Sequence, residues 1–282
     1  MRTAFSLLAS LVPLLASGCA PLSGPQVGGD RPATLLEPED WNGTDPLPLL
    51  VALHGYGNSG SQITRWVGLD NAPDALVLLP NGLEDSRNYR FWNATPDCCD
   101  FEDHGVDDVG YLLDLVAEVQ TDWPVESAQI SLIGHSNGGF MNYTLVCEAE
   151  HPFAAMVSIA GAGAWDETLC EATRPVSVLQ VHGTNDRAQA IEGDPTGPGA
   201  DEMVQRWGER GGCAPDLSPV EVRDYAPLQP GDETQVEAAQ GCVDGIDIEL
   251  WRMVGANHSP RFTASFQTDV RSWMLSHRRV DP

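Results

Sequence analysis

The chain has 282 residues, 42% of them hydrophobic, with 41 acidic residues against 15 basic ones and a formal net charge of -26; every basic residue is an arginine. That balance argues against nucleic acid or an anionic membrane surface as a partner of the folded part, and a polyanionic substrate would be repelled as well. Length and composition suit one large domain or two small ones, with no internal repeat and no second apolar stretch long enough to span a membrane.

The first 18 residues read as an export signal: Arg2, an apolar stretch from Phe5 to Leu15, then Ala16, Ser17 and Gly18. Small residues directly before Cys19 resemble a lipobox, which makes Cys19 the candidate lipidated first residue of the mature chain and a lipid anchor its only expected link to a membrane. Residues 19 to 34 are rich in Pro and Gly without periodicity and are expected to form a flexible tether. Residues 35 to 282 are expected to form a single catalytic domain, exported and either anchored at the cell envelope or released.

Leu49 to Leu53 is continuously apolar and runs into His54, Gly55, Tyr56 and Gly57, a buried strand followed by a turn. Ala75 to Leu79 is a second such run. From Val106, apolar residues at 109, 112, 113, 116 and 119 recur at helical spacing, with Asp107 and Asp108 in the first turn, where their charge suits the helix dipole. Ile130 to Gly139, ISLIGHSNGG, is a strand that ends in a serine bracketed by glycines and hands over to a helix reaching about Cys147. Further strands are expected at Ala154 to Ala160, Val176 to Val181 and Ile246 to Val254, with helices at Asp201 to Arg210 and around Phe266 to Met274. Short buried strands alternating with helices predict an α/β fold, a mostly parallel central sheet covered on both faces, with its site at the carboxyl ends of the strands.

Three strand ends carry candidate chemistry. Gly134 to Gly138 spell GxSxG, the nucleophile elbow, in which a tight strand-to-helix turn lifts the Ser136 hydroxyl clear of the sheet. Asp186 follows a later strand and His258 the last, giving the chain order Ser, Asp, His of an α/β-hydrolase. A serine hydroxyl is hardly ionised at neutral pH, so His258 would take its proton during attack and return it to the leaving group, while Asp186 would hold the imidazole in the right tautomer. The N-H groups of Asn137 and Tyr56 are the candidate oxyanion hole. Asp244 and Asp247 fall before or within the last strand, and Glu192 and Asp194 lie further into a loop, so each is less well placed than Asp186. His182 reads as a packed strand-end residue. Trp92 is a candidate aromatic wall of the substrate cleft, with core packing as the alternative. The acidic run from Asp97 to Asp108 lacks the ligand spacing of a calcium site, and neither metal nor organic cofactor is expected.

Setting aside Cys19 leaves six cysteines, an even number in an exported chain. Sequence alone does not fix their connectivity. Cys213 and Cys242 flank a stretch without element pattern, which their pairing would staple shut. Cys147 and Cys170 are both expected at the far end of the sheet. Cys98 and Cys99 then remain, as an adjacent pair or exchanged with the others.

The blocks LHGYGNSG, WNATPDCCDFEDHGVDDVGYL, GHSNGGFMNYTLVCE, HGTND and GANHSP resemble those of bacterial poly(3-hydroxybutyrate) depolymerase-like and feruloyl-esterase-like secreted esterases, from about Leu49 to the C-terminus. The resemblance implies Ser136 as nucleophile, Asp186 as acid, His258 as base, a bridge between Cys213 and Cys242, and a small ester, a polyester or a plant-polysaccharide ester as substrate. Ser259, Pro260 and Arg261 stand where members often carry an aromatic and a proline, and Arg187, Ala188 and Gln189 stand where many have a valine and proline. Both departures fall beside the expected cleft. The expected activity is therefore hydrolysis of a carboxylic ester through an acyl-enzyme. Acyl transfer by the same residues and a silent binding protein on the same fold are the alternatives.

Overall fold

A computed structural model describes residues 21 to 243 and 245 to 279. The expected export signal, Cys19 with its lipidation, and Asp244 lie outside the described residues. In chain order, β1 (Gln26–Val27) and β2 (Ala33–Leu36) precede β3 (Leu47–Leu53), α1 (Gly60–Trp66) and β4 (Leu76–Leu79). A short pair, β5 (Leu83–Glu84) and β6 (Arg90–Phe91), is followed by α2 (Asp108–Asp122), β7 (Val125–His135), α3 (Asn137–Val146), β8 (Ala155–Ile159) and β9 (Ser177–Gly183). A second short pair, β10 (Gly193–Asp194) and β11 (Gly197–Pro198), leads to α4 (Ala200–Arg210), β12 (Leu217–Arg223), β13 (Thr234–Ala239), β14 (Ile248–Met253) and α5 (Ala264–Ser276).

Ten strands form one sheet in the order β1-β2-β4-β3-β7-β8-β9-β14-β13-β12. The run from β4 to β14 is parallel, and antiparallel strands extend it at both edges. The parallel strands are apolar on both faces because both faces are covered. Leu49, Val51 and Leu53 of β3 pack with residues of α2, α3 and α4 on one side, and Leu50 and Ala52 pack with α1 and α5 on the other. The chain steps from β3 to β4 and then back across β3 to β7, so the strand order reverses between β3 and β7. A crevice opens at the carboxyl ends of such a pair.

Two stretches differ from expectation. Residues 21 to 34 are not a free tether where described: β1 and the start of β2 extend the sheet, and Val27, Ala33 and Leu35 are buried. Gly28 N-H donates to Glu118 of α2, and Arg31 pairs with Asp108 at 2.7 Å while stacking over Tyr111 at 3.8 Å. Isolated apolar residues among Pro and Gly give no periodicity, yet each meets a preformed apolar surface. The stretch between Cys213 and Cys242 likewise contains a hairpin, β12 paired with β13 and β13 with β14. Val220 and Val222 of the edge strand are exposed, so no buried face marked it. Asp107 is the N-cap of α2, accepting from Gly110 N-H, and Asp108 is buried against Arg31 instead of facing solvent.

The six cysteines pair as Cys98 with Cys99, Cys147 with Cys170 and Cys213 with Cys242. The second bridge ties the end of α3 to the approach of β9, and the third closes the base of the β12–β13 hairpin. Because β2 is part of the sheet, Leu35→Ala, at a position with 0% exposure, should lower unfolding stability by about 2–4 kcal/mol in urea denaturation. An unchanged midpoint would mean that the segment is only an appendage.

Candidate active site

Ser136 joins β7 to α3 with φ 52 and ψ -121, a left-handed conformation that costs a non-glycine residue about 1–3 kcal/mol. Its surroundings impose it. Ser136 N-H donates to the Ile159 carbonyl at 2.8 Å, its carbonyl accepts from Phe140 N-H at 2.9 Å, and α3 lies so close to β3 that a Cβ on Gly138 would overlap the Leu53 carbonyl. The side chain stands at the carboxyl end of the strand and is partly exposed. As the first residue of α3, Asn137 keeps a backbone N-H that no helical carbonyl accepts. Its buried amide accepts from Trp92 N-H at 2.7 Å and donates to the Trp92 carbonyl at 2.9 Å.

Trp92 therefore does not wall the cleft. It is 0% exposed, its indole N-H donates to the His54 carbonyl at 3.0 Å, and its ring packs 4.9 Å from that of His54. A tryptophan whose single donor is satisfied by buried backbone gains more from the core than from the surface.

The turn after β3 is fixed from beneath. Gly82 N-H donates to His54 Nε2 at 3.0 Å, so the proton of this imidazole sits on Nδ1 and donates to the Gly55 carbonyl at 2.8 Å. Burial pushes the His54 pKa down from 6.5 to about 4. Gly55 lies against the elbow: a Cβ there would stand 2.9 Å from His135 Nδ1 and 3.4 Å from Ser136 Cβ. The Tyr56 N-H belongs to this turn, and the Tyr56 phenol is held by Asp85 and Arg87.

Asp186 and His258 meet across the ends of β9 and β14. His258 Nδ1 donates to Asp186 Oδ2 at 2.8 Å, while Oδ1 accepts from Ala188 N-H at 2.8 Å and Gln189 N-H at 3.0 Å. The two loops are sewn together by Asn185 N-H to the Ala256 carbonyl and Gly255 N-H to Thr184 Oγ1. Burial alone would raise the Asp186 pKa, but hydrogen bonds from His182, His258 and the Gln189 N-H outweigh it and hold the carboxyl well below the usual range. With Nδ1 donating, His258 leaves Nε2 as a lone pair able to accept a proton.

His182 is packed, as expected, but it also faces the acid. Tyr143 O-H donates to Gln180 Oε1 at 2.8 Å, and Gln180 Nε2 donates to His182 Nδ1 at 3.1 Å. The remaining proton on His182 Nε2 then points to the Gln189 carbonyl at 2.9 Å and to Asp186 Oδ2 at 3.4 Å. His135, the variable residue of GxSxG, donates from Nε2 to the His258 carbonyl at 2.9 Å. Burial and the neighbouring His258 lower its pKa to about 4. His135 thus links the elbow to the His258 loop, although no hydrogen bond joins Ser136 Oγ to His258 Nε2 among the described residues. Contacts of this kind are often long before substrate binds. Asp247 is far from this constellation, bonded to His277, and Asp194 caps its own turn. Among the described residues no group of three or more His, Cys, Asp or Glu side chains converges as a metal site.

No family model matches the chain. Probable feruloyl esterase C of Aspergillus niger is 28% identical over 212 residues, 72% of this chain and 68% of that protein. The putative esterase NocK of Nocardia uniformis subsp. tsuyamanensis is 32% identical over 153 residues, so this chain spans 43% of its length. Feruloyl esterase D of Neurospora crassa is 24% identical over 290 residues, covering 92% of this chain and 89% of the relative. Among solved structures, an acetyl xylan esterase from Aspergillus awamori superposes with a TM-score of 0.62 at 12% identity, over 89% of this chain and 98% of that one. Esterase PE8 gives 0.55 at 19% identity, over 90% of this chain and 98% of that one. This is the α/β-hydrolase fold. In an α/β-hydrolase the elbow, the acid and the histidine follow one another along the chain in the order seen for residues 136, 186 and 258.

Gly55→Ala should push the turn after β3 away from the elbow, lowering kcat by about 10- to 100-fold with the fold retained, as measured by steady-state kinetics beside circular dichroism. His54 and His135 should stay neutral down to about pH 4 in an imidazole NMR titration; midpoints near 6.5 would contradict their burial. The unfolded chain takes up protons at both below pH 6.5 while the folded chain does not until about 4. Urea stability should therefore fall as pH drops through that window, by up to about 1.4 kcal/mol per pH unit for each histidine.

Proposed function

We propose that this α/β-hydrolase cleaves carboxylic esters through an acyl-enzyme on Ser136. The observation that carries the reading is the bond between His258 Nδ1 and a buried, ionised Asp186, at the same carboxyl end of the sheet as a serine held at positive φ. Ser136 Oγ attacks the ester carbonyl carbon as its proton passes to His258 Nε2. The carbonyl oxygen, now negative, is received by the N-H groups of Tyr56 and Asn137. Collapse breaks the bond to the alcohol oxygen, which leaves with the proton from His258. Water, deprotonated by the same nitrogen, then attacks the acyl-enzyme, and release of the acid restores Ser136. Asp186 keeps the imidazole in register and offsets its charge at each proton transfer.

The names of the relatives support ester substrates, feruloyl and acetyl esters of plant polysaccharides among them. Three disulfides support export to an oxidising compartment.

The test compares wild type with Ser136→Ala and Asp186→Asn on p-nitrophenyl acetate and butyrate, methyl ferulate, acetylated xylan and 3-hydroxybutyrate oligomers. Ser136→Ala should fall to background with an unchanged fold, and Asp186→Asn should lose about 10³- to 10⁴-fold in kcat. Turnover surviving in Ser136→Ala would remove the mechanism.

A further inference from the structure

The chain carries 41 acidic residues against 15 arginines, so an arginine without a partner is unusual in it. Among the described residues every arginine has an ion pair, a hydrogen bond or a ring contact within the chain, with the exception of Arg187 and Arg261. Both sit beside the site just described: Arg187 directly follows Asp186, and Arg261 is three residues beyond His258. Arg187 is exposed and lines an open cleft of about 460 Å³ together with Asn185, Ala188, Asn257, His258 and Ser259. No acidic side chain lines that cleft. The adjacent carboxylate of Asp186 does not neutralise Arg187, because it is 0% exposed and already accepts from His258, His182, Ala188 and Gln189.

Resting on the esterase reading, we propose that Arg187 recognises a carboxylate on the alcohol side of the ester. The side is chosen by the chemistry: the leaving oxygen must take its proton from His258, which also lines the cleft that holds Arg187, so the alcohol is the part of the ester assigned to that cleft. The ligand class follows from charge and shape. A guanidinium offers a planar fork of donors that fits a carboxylate with two parallel hydrogen bonds, and the neutral amides of Asn185 and Asn257 beside it add donors without competing charge. A uronic acid unit and a simple hydroxyacid are two alcohols that carry such a group.

The decisive measurement is kcat/KM on a matched pair, O-acetylglycolate and O-acetylglycolamide, which differ only in the charge of the alcohol part. Wild type should prefer the carboxylate, and Arg187→Gln should reduce that preference about fivefold to tenfold, with Arg187→Lys retaining part of it. Raising salt from about 0.02 M to about 0.5 M should erode the preference in wild type and leave Arg187→Gln flat, a response that a merely structural role would not give. Parallel pairs built on an acetylated uronic acid and on a linear 3-hydroxybutyrate dimer, each beside its carboxamide, identify the source by the larger loss. Equal effects of Arg187→Gln on both members of every pair, or no wild-type preference in any, would overturn the proposal. Absence of Ser136-dependent turnover on all of them would instead overturn the esterase reading beneath it.

Discussion

The site depends on one buried carboxylate kept ionised. Taking Asp186 out of water costs several kcal/mol unless its lone pairs are filled, and they are filled from three directions: two backbone N-H groups of its own turn, His258 across the cleft and His182 from its own strand. The last of these is the end of a buried chain running from Tyr143 on α3 through Gln180 on β9. Each member has its donors and acceptors assigned without conflict, so the network has a single arrangement, and the imidazole of His258 inherits that definition.

A second network holds the opposite wall. Asp108 accepts from Asn93 N-H at 2.8 Å and pairs with Arg31, Trp92 is bolted to the Asn137 amide, and His54 is pinned between Gly82 and Gly55. Arg31 also donates to the Asn81 carbonyl, so the N-terminal segment braces the loops behind the candidate oxyanion hole. The two networks meet where His135 grips the His258 carbonyl. Strain at Ser136 is held by these neighbours, which makes the elbow's geometry a property of the surrounding loops as much as of its own residues.

The sequence made the parallel core readable because those strands are buried on both faces and appear as unbroken apolar runs. The residues at 136, 186 and 258 stand out as candidates for a related reason: each closely follows such a run, at a strand end. What stayed hidden depends on register or on weak burial. The edge strand β12 exposes Val220 and Val222, and β1 is two residues long, so neither has a pattern to find. For Trp92 the sequence leaves cleft wall and core as alternatives, because nothing in its neighbours announces that the His54 carbonyl awaits its N-H. The contacts of His135 and His182 arise only once strands β7, β9 and β14 are assembled in one sheet, 123 residues separating His135 from its acceptor.

The charge of the molecule and the charge at its cleft act over different distances. A net charge of -26 produces a field that disfavours anions, but at physiological salt it decays over about 8 Å, so it governs approach more than contact. No acidic side chain lines the cleft, and the adjacent Asp186 carboxylate is buried and committed to its own hydrogen bonds, whereas the Arg187 guanidinium is uncommitted and at the surface. A long polyanion must cross the repulsive field with many charges at once. A short ester with one carboxylate crosses it with one and then meets a local cation within hydrogen-bonding reach. The acidic surface and a single uncommitted arginine are thus compatible, and together they would favour singly charged substrates over densely charged chains.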